Sequence, residues 1–289
     1  MSKAVAASPV SILPADRVRQ ESLRLLLQAA VYDPLTRRFL AEAGLSSGMR
    51  VLDVGSGPGS VSLVVSDIVG PEGTVVGIES SAAMVELARR RVRNVGRTNI
   101  EFVQGNAESP DLSGPFDAVV GRFVIREIKD AAGSLGRLAR LVAPGGIVAF
   151  QEKMLCMPVT SFPTLATVER ARSWMDEARR RAGVETAMGA KLAQVFTAAG
   201  LPSPELRLEA PIGYGPDWVG YDYLAEMLRG MLPLMHLYGI ATEEQISIDT
   251  LAGEMRDQTV KESGVVILTP CIGAWAAKRA NGRAGGRRT

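Results

Sequence analysis

Between Arg50 and Glu152, short apolar runs alternate with amphipathic stretches. Met49–Val54 is a β-branched apolar run, followed by a glycine-rich turn and a helical stretch over Ser60–Val69. Thr74–Ile78 is a second apolar run. Ala82–Val95 then reads as a helix carrying Met84, Val85, Leu87, Ala88 and Val92. Ile100–Val103 and Phe116–Val120 read as a third and a fourth strand, the latter preceded by Ser113-Gly114-Pro115. A helix over Asp130–Val142 is expected to stop at Pro144-Gly145-Gly146, with Ile147–Phe150 as a fifth strand. Buried runs separated by helices, without an internal repeat, predict an α/β fold with a doubly wound parallel sheet.

The flanks extend this frame. Residues before about 46 read as one or two helices around Leu23, Leu25, Leu26, Leu27, Ala30 and Val31. Ser161–Arg181 and Met188–Ala199 are predicted helices, and Gly200 ends the second. Glu205–Glu209 and Val265–Ala276 are expected as further strands, giving a seven-stranded sheet. The stretch 210–263 between them is too long for bare loop. It is read as a helical cap over the active edge of the sheet. The expected organisation is an N-terminal helical segment (1–45), a sheet domain (46–210 plus 264–280), a helical cap insertion (211–263) and a disordered tail (281–289).

Composition narrows the class. With 289 residues, 46% of them hydrophobic, the chain can bury a full core and is not a disordered protein. No run reaches the ~18 apolar residues of a membrane helix. Pro9 and Pro14 interrupt the first apolar stretch, so a secretory leader is not expected. The net charge is +2, but Lys278, Arg279, Arg283, Arg287 and Arg288 lie in the last twelve residues. The remainder is acidic, with 28 Lys and Arg against 31 Asp and Glu. Such a body lacks a basic footprint for nucleic acid. Arg89-Arg90-Arg91 and Arg179-Arg180-Arg181 read as solvated helix faces. Cys156, Cys271 and the sole histidine, His236, supply neither a disulfide framework nor a metal cluster. A cytoplasmic protein without a metal is expected, as a monomer or homodimer that binds neither nucleic acid nor membrane.

The chemistry is concentrated in Val51-Leu52-Asp53-Val54-Gly55-Ser56-Gly57-Pro58-Gly59-Ser60. Gly55, Gly57 and Gly59 let the backbone approach a ligand, and the helix that follows presents free N–H groups. Asp53 is an acid inside an apolar strand, where carboxylates seldom sit without a partner. The nicotinamide fingerprint requires a third glycine where this chain has Ser60, which disfavours a dehydrogenase. Twenty residues beyond Gly59, Glu79 ends the second strand, where an acid can accept hydrogen bonds from ribose hydroxyls. The plainer role for Glu79 is a charge at the N-terminus of the next helix.

Together these residues resemble the class I S-adenosylmethionine-dependent methyltransferases of small-molecule type. VLDVGSGPGS is similar to that family's glycine motif and VVGIES to its ribose-binding motif. FVQGNAES, FDAVVGRFVI and LVAPGGIVAFQE resemble the motifs around its third, fourth and fifth strands. The resemblance covers about Leu45 to Glu152 and implies a Rossmann-like fold with S-adenosyl-L-methionine as cofactor. One departure is Asn106 where the family carries Asp; its amide oxygen can still accept from an adenine amine.

Carried over residue by residue, the resemblance implies that Asp53, Gly55, Gly57 and Gly59 face the methionine part of the cofactor. Glu79 and Ser80 would face the ribose, and Asn106 and Ala107 the adenine. Arg122 falls where the family's backbone carbonyls hold the methionine amine; its side chain serves either the substrate or a surface salt bridge. Gln28 and Tyr32 either close over the cofactor or pack within their helix. A substrate needing proton removal would call on Glu152, His236 or Tyr214, although His236, in Leu234-Met235-His236-Leu237, also reads as a core histidine. Tyr214, Trp218, Tyr221, Met231 and Met235 form the candidate substrate wall. The helical spacing of Met227, Met231 and Met235 equally fits core packing, with Pro233 breaking or kinking the helix. The expected substrate is a small aromatic or apolar metabolite of bacterial secondary metabolism. The competing readings are an RNA or protein methyltransferase, or a non-methylating enzyme that retains the cofactor.

Overall fold

The computed structural model describes residues 15–279, so the expected tail at 281–289 and the stretch weighed as a leader lie outside the described residues. The described residues start with α1 (Ala15–Glu42), β1 (Arg50–Val54), α2 (Ser60–Val69), β2 (Thr74–Glu79), α3 (Ala82–Asn94) and β3 (Ile100–Gln104). It continues through β4 (Phe116–Arg122), α4 (Ala131–Arg140), β5 (Val142–Lys153), β6 (Thr160–Phe162), α5 (Ala166–Arg181) and α6 (Met188–Ala198). The last elements are β7 (Glu205–Glu209), β8 (Ile212–Gly213), α7 (Gly220–Tyr238), α8 (Glu243–Ile246), α9 (Leu251–Lys261), β9 (Val265–Ile267) and β10 (Cys271–Ala277).

These elements fall into two compact units. Among the described residues, a sheet unit holds Thr36–Glu152, Ala190–Arg207 and 273–279, and a helical unit holds 15–35, Lys153–Gly189 and Leu208–Ile272. The expected boundaries at 210 and 264 therefore shift. Residues 153–189, assigned above to the sheet domain, belong with the helical unit because α5 packs on α7 and α9.

The sheet unit is built on seven strands in the order β3-β2-β1-β4-β5-β10-β7. β1 pairs in parallel with β2 (Val54 opposite Ile78) and with β4 (Val54 opposite Gly121), and β4 pairs in parallel with β5. The sheet is not wholly parallel as expected. The bonds from Gly145 N–H to Lys278 O and from Lys278 N–H to Gly146 O run the end of β10 against the start of β5. Val51, Leu52 and Val54 are completely buried, so β1 is covered on both faces, as its unbroken apolar run requires. One core cluster joins Val51, Val61, Val65, Val69, Val75, Val120 and Ala149 to Phe39, Leu40 and Trp275. Helix α3 turns Met84, Val85, Ala88 and Val92 inward and is capped by Ser81, whose hydroxyl accepts from Met84 N–H.

Proline and glycine positions account for the elements that were misread. Pro144-Gly145-Gly146 is absorbed as an irregularity within β5, where the register steps from Phe116–Val142 to Ala118–Ile147. The helix expected from Ser161 begins at Ala166. Ser161 and Phe162, ahead of Pro163, lie in β6 instead, and the Ser161 hydroxyl accepts from Leu165 N–H at 2.9 Å. The single strand expected over Val265–Ala276 divides at Pro270: β9 joins the small sheet β6-β9-β8, and β10 joins the large one. The region expected as a cap is mainly helical, and α7 runs through Pro233 to a left-handed Gly239 without breaking.

The packing of β10 on α1 yields a test. A Cβ at Gly273 would stand 2.4 Å from ring atoms of Phe39, whose ring meets Trp275 edge-on with centroids 5.7 Å apart. Gly273→Ala is expected to destabilise the sheet unit by about 1–3 kcal/mol through overpacking. Urea unfolding measures this, and a midpoint equal to that of the wild type would contradict the packing described.

Candidate active site

The turn after β1 is shaped by close approach. Gly55 has φ 66° and Gly59 φ 80°, a region that side chains with a Cβ rarely adopt. A Cβ on Gly55 would also lie 2.5 Å from Val124 Cγ2, and one on Gly59 2.8 Å from Phe102 Cζ. The turn is pinned to β2 by Gly55 N–H and Ser56 N–H, both donating to Ile78 O at 2.9 and 3.1 Å. Gly59 caps α2 without a side-chain bond, which leaves the positive end of that helix open to a ligand.

Beneath the turn lies Asp53, 1% exposed. Its Oδ2 accepts from the Ser62 hydroxyl at 2.6 Å, while Oδ1 and the nearby Ser56 Oγ are buried without a hydrogen-bond partner. Burial pushes the Asp53 carboxyl up to about 7, against the opposing pull of the Ser62 bond and the Arg122 charge. Two orphaned polar atoms beside an open helix terminus are what a site completed by a polar ligand leaves behind.

Glu79 is held where β2 ends. Its Oε2 accepts from Gly57 N–H at 3.0 Å, and its Oε1 from Ser81 N–H at 2.8 Å and the Ser80 hydroxyl at 3.1 Å. The carboxylate thus ties the glycine turn to the start of α3, and its remaining lone pairs can accept further bonds. Next to it, Gly105 N–H donates to Glu79 O at 2.9 Å. Asn106 is exposed, and its Oδ1 accepts from Glu108 N–H at 2.8 Å, closing a local turn that includes Ala107. An amide oxygen has a second lone pair.

The end of β4 holds features invisible in the sequence. The Arg122 guanidinium donates to Thr36 Oγ1 at 2.8 Å, and Thr36 in turn donates to Gln151 Oε1 at 2.8 Å. Thr36 and Gln151 are buried, so the Arg122 side chain is tied into the interior of the sheet unit at this point. Phe123 has φ 59°, a non-glycine residue in the left-handed region, at a cost on the order of 1–3 kcal/mol. Its N–H donates to Gln151 O at 2.8 Å. Glu152 is 1% exposed, and its Oε1 accepts from Ile125 N–H at 2.6 Å and Arg126 N–H at 3.4 Å. Burial raises the Glu152 carboxyl to about 7, opposed chiefly by the Ile125 bond.

The remaining candidates lie in the helical unit. Tyr32 and Gln28 are buried there. Tyr32 donates to Thr269 O at 2.8 Å, and Gln28 Oε1 accepts from Lys153 Nζ at 2.9 Å. Lys153 also donates to the Tyr223 hydroxyl at 2.6 Å; neither Lys153 nor Tyr223 was singled out as a site residue, and the sequence around them offers no motif. Tyr221 and Met235 are completely buried core residues. Trp218 and Met231 are half-buried, and Tyr214 is 75% exposed. His236 is exposed rather than a core histidine, and it borders a groove of about 340 Å³ together with Arg17, Arg229, Pro233 and Glu243. Among the described residues, no cluster of His, Cys, Asp and Glu could hold a metal, and no helix is long and apolar enough to cross a membrane.

Residues 45–200, more than half of the chain, match the methyltransferase domain family, and the chain belongs to that family. The demethylmenaquinone methyltransferase of Lactococcus lactis is 30% identical over 152 residues, covering 52% of this chain and 58% of that protein. The aklanonic acid methyltransferase DauC of a Streptomyces species is 34% identical over 120 residues, covering 41% and 54% respectively. The chain thus spans little more than half the length of these curated relatives. The crystal structure of a Bacillus halodurans protein matches 85% of this chain and 99% of its own, with a TM-score of 0.55 at 18% identity, and so shares the fold.

The two enclosed carboxyls give a pH dependence of defined sign. Asp53 and Glu152 bind protons in the folded chain up to about pH 7, whereas unfolded they release them near 3.8 and 4.5. The folded state therefore holds the extra protons between roughly pH 4 and 7, and the contribution of these groups to stability falls as pH rises through that window. For Asp53 alone the loss is on the order of a few kcal/mol. Asp53→Asn should lose less melting temperature than the wild type between pH 5 and 8. Parallel pH profiles of the two proteins would refute the enclosure of that charge.

Proposed function

We propose that this chain is an S-adenosyl-L-methionine-dependent methyltransferase acting on a small aromatic or apolar metabolite. The observation that carries the reading is the Glu79 carboxylate bonded to Gly57 N–H in a glycine turn whose floor holds the unpartnered Asp53 Oδ1 and Ser56 Oγ. These groups fit the donor. Glu79 and Ser80 would hold the ribose hydroxyls, Asn106 and Ala107 the adenine edge, and the polar floor with Arg122 the methionine end. Bound there, S-adenosyl-L-methionine would supply an activated methyl group, with S-adenosylhomocysteine as the leaving group.

The protein's part is then orientation and exclusion of water, effects worth about 7–11 kcal/mol in well-placed reactions. The names of the relatives, a demethylmenaquinone methyltransferase and an aklanonic acid methyltransferase, support a flat, largely apolar acceptor. Trp218, Met231 and Tyr214 are the proposed substrate contacts, because they keep surface available, whereas Tyr221 and Met235 are completely buried. His236 is the accessible proton acceptor for substrates that need one. A cytoplasmic setting in secondary metabolism completes the reading.

Glu79→Ala tests it. A bond from a ribose hydroxyl to the carboxylate is worth about 1.5–3 kcal/mol, so loss of even one should lower the affinity for S-adenosylhomocysteine about tenfold or more. Isothermal titration of the folded variant reads this directly, and wild-type affinity would remove Glu79 from the donor site.

A further inference from the structure

Within the sheet unit, we propose that Glu152 is a positioning residue whose carboxylate sets the donor-binding conformation of residues 123–127. This inference rests on the donor reading above. Three observations converge on that segment. Phe123 occupies a left-handed conformation, which persists only where its surroundings over-determine it. Consecutive groups of β5 supply the restraint: Gln151 O accepts from Phe123 N–H at 2.8 Å, and Glu152 Oε1 accepts from Ile125 N–H at 2.6 Å. Between these anchors stands Val124, whose Cγ2 occupies the space that a side chain on Gly55 would need.

The segment is thus the wall against which the glycine turn is moulded. Releasing Ile125 frees Phe123 to relax, and Val124 then leaves its place against Gly55. Arg122, just before the segment, shares the fate of this wall, and its charge acts on Asp53. The function follows from acceptor geometry rather than from negative charge, since the 2.6 Å bond requires only an oxygen at that point. A neutral isostere should therefore substitute for Glu152, whereas a shorter or apolar side chain should not. A proton-abstracting role makes the opposite demand.

The test compares Glu152→Gln, Glu152→Asp and Glu152→Leu in the full chain, with S-adenosylhomocysteine titration and amide hydrogen exchange at Ile125 as readouts. Glu152→Gln is expected to bind within about threefold of the wild type and to keep Ile125 protected. Glu152→Asp and Glu152→Leu are expected to lose that protection and to bind at least about tenfold more weakly while folded at the assay temperature. Glu152→Asp retains a carboxylate and serves where the Leu variant fails to fold. Lost protection with wild-type affinity overturns the proposal, as does a Gln variant as damaged as the Asp variant. Glu79→Ala run alongside separates the two claims: a normal response there with an unaffected Glu152 series defeats this inference alone, and no binding by the wild type defeats both.

Discussion

The contact between Gly55 and Val124 governs the sheet unit. β1 and β4 are hydrogen-bonded neighbours, with Val54 opposite Gly121, so the turns leaving them must occupy adjoining space. The turn after β1 lacks a side chain at residue 55, where a Cβ would stand 2.5 Å from Val124 Cγ2, and in the turn after β4 Phe123 holds a left-handed conformation. One side gives up a Cβ and the other accepts strain. In return, backbone N–H groups and a helix terminus are brought to one edge of the sheet, where open α/β sheets bind their ligands.

Three carboxylates serve that edge in different ways. Asp53 is enclosed with one short bond and one open oxygen, so it favours its neutral form in the absence of a partner. Glu79 is half-buried, and three donors fix it between the glycine turn and α3. Glu152 is enclosed like Asp53 but spends its Oε1 on backbone N–H groups of the segment after β4. Burial destabilises the charge in both enclosed cases, and such a cost is retained where the group shapes a site.

The helical unit has its own buried polar centre. Lys153 bonds Gln28 and Tyr223, with its ammonium 5.1 and 5.3 Å from the ring centroids of Tyr32 and Tyr223. Tyr32 and Tyr223 meet edge-on at 5.9 Å. Residues from α1, β5 and α7 are thereby joined around one cation, and interactions of this kind fix orientation more than they add stability. Beside it the apolar contacts of α5, α7 and α9 form the bulk of the packing, with Tyr221 bonded to Gly215 O and stacked edge-on against Trp218.

The strands β1 to β4, helices α2 to α4 and the glycine turn were legible in the sequence because their signals are local. Apolar runs of strand length and glycines at fixed spacing act within a few residues of themselves, as do the caps that the structure shows at Ser81 and Asp130. Asp53, an acid inside an apolar strand, and Glu79, an acid at a strand end, stood out for the same reason. What the sequence could not supply was any property set by residues far apart in the chain. Thr36, Gln151 and Arg122 form one hydrogen-bonded chain across 115 residues, and Tyr32 reaches Thr269 across 237. Whether Met235 faces core or solvent, whether Pro270 divides a strand between two sheets, and whether His236 is enclosed all depend on what packs alongside. Local chemistry determined the elements and the glycine site; the long-range contacts decided which of its polar groups were left open and which were tied down.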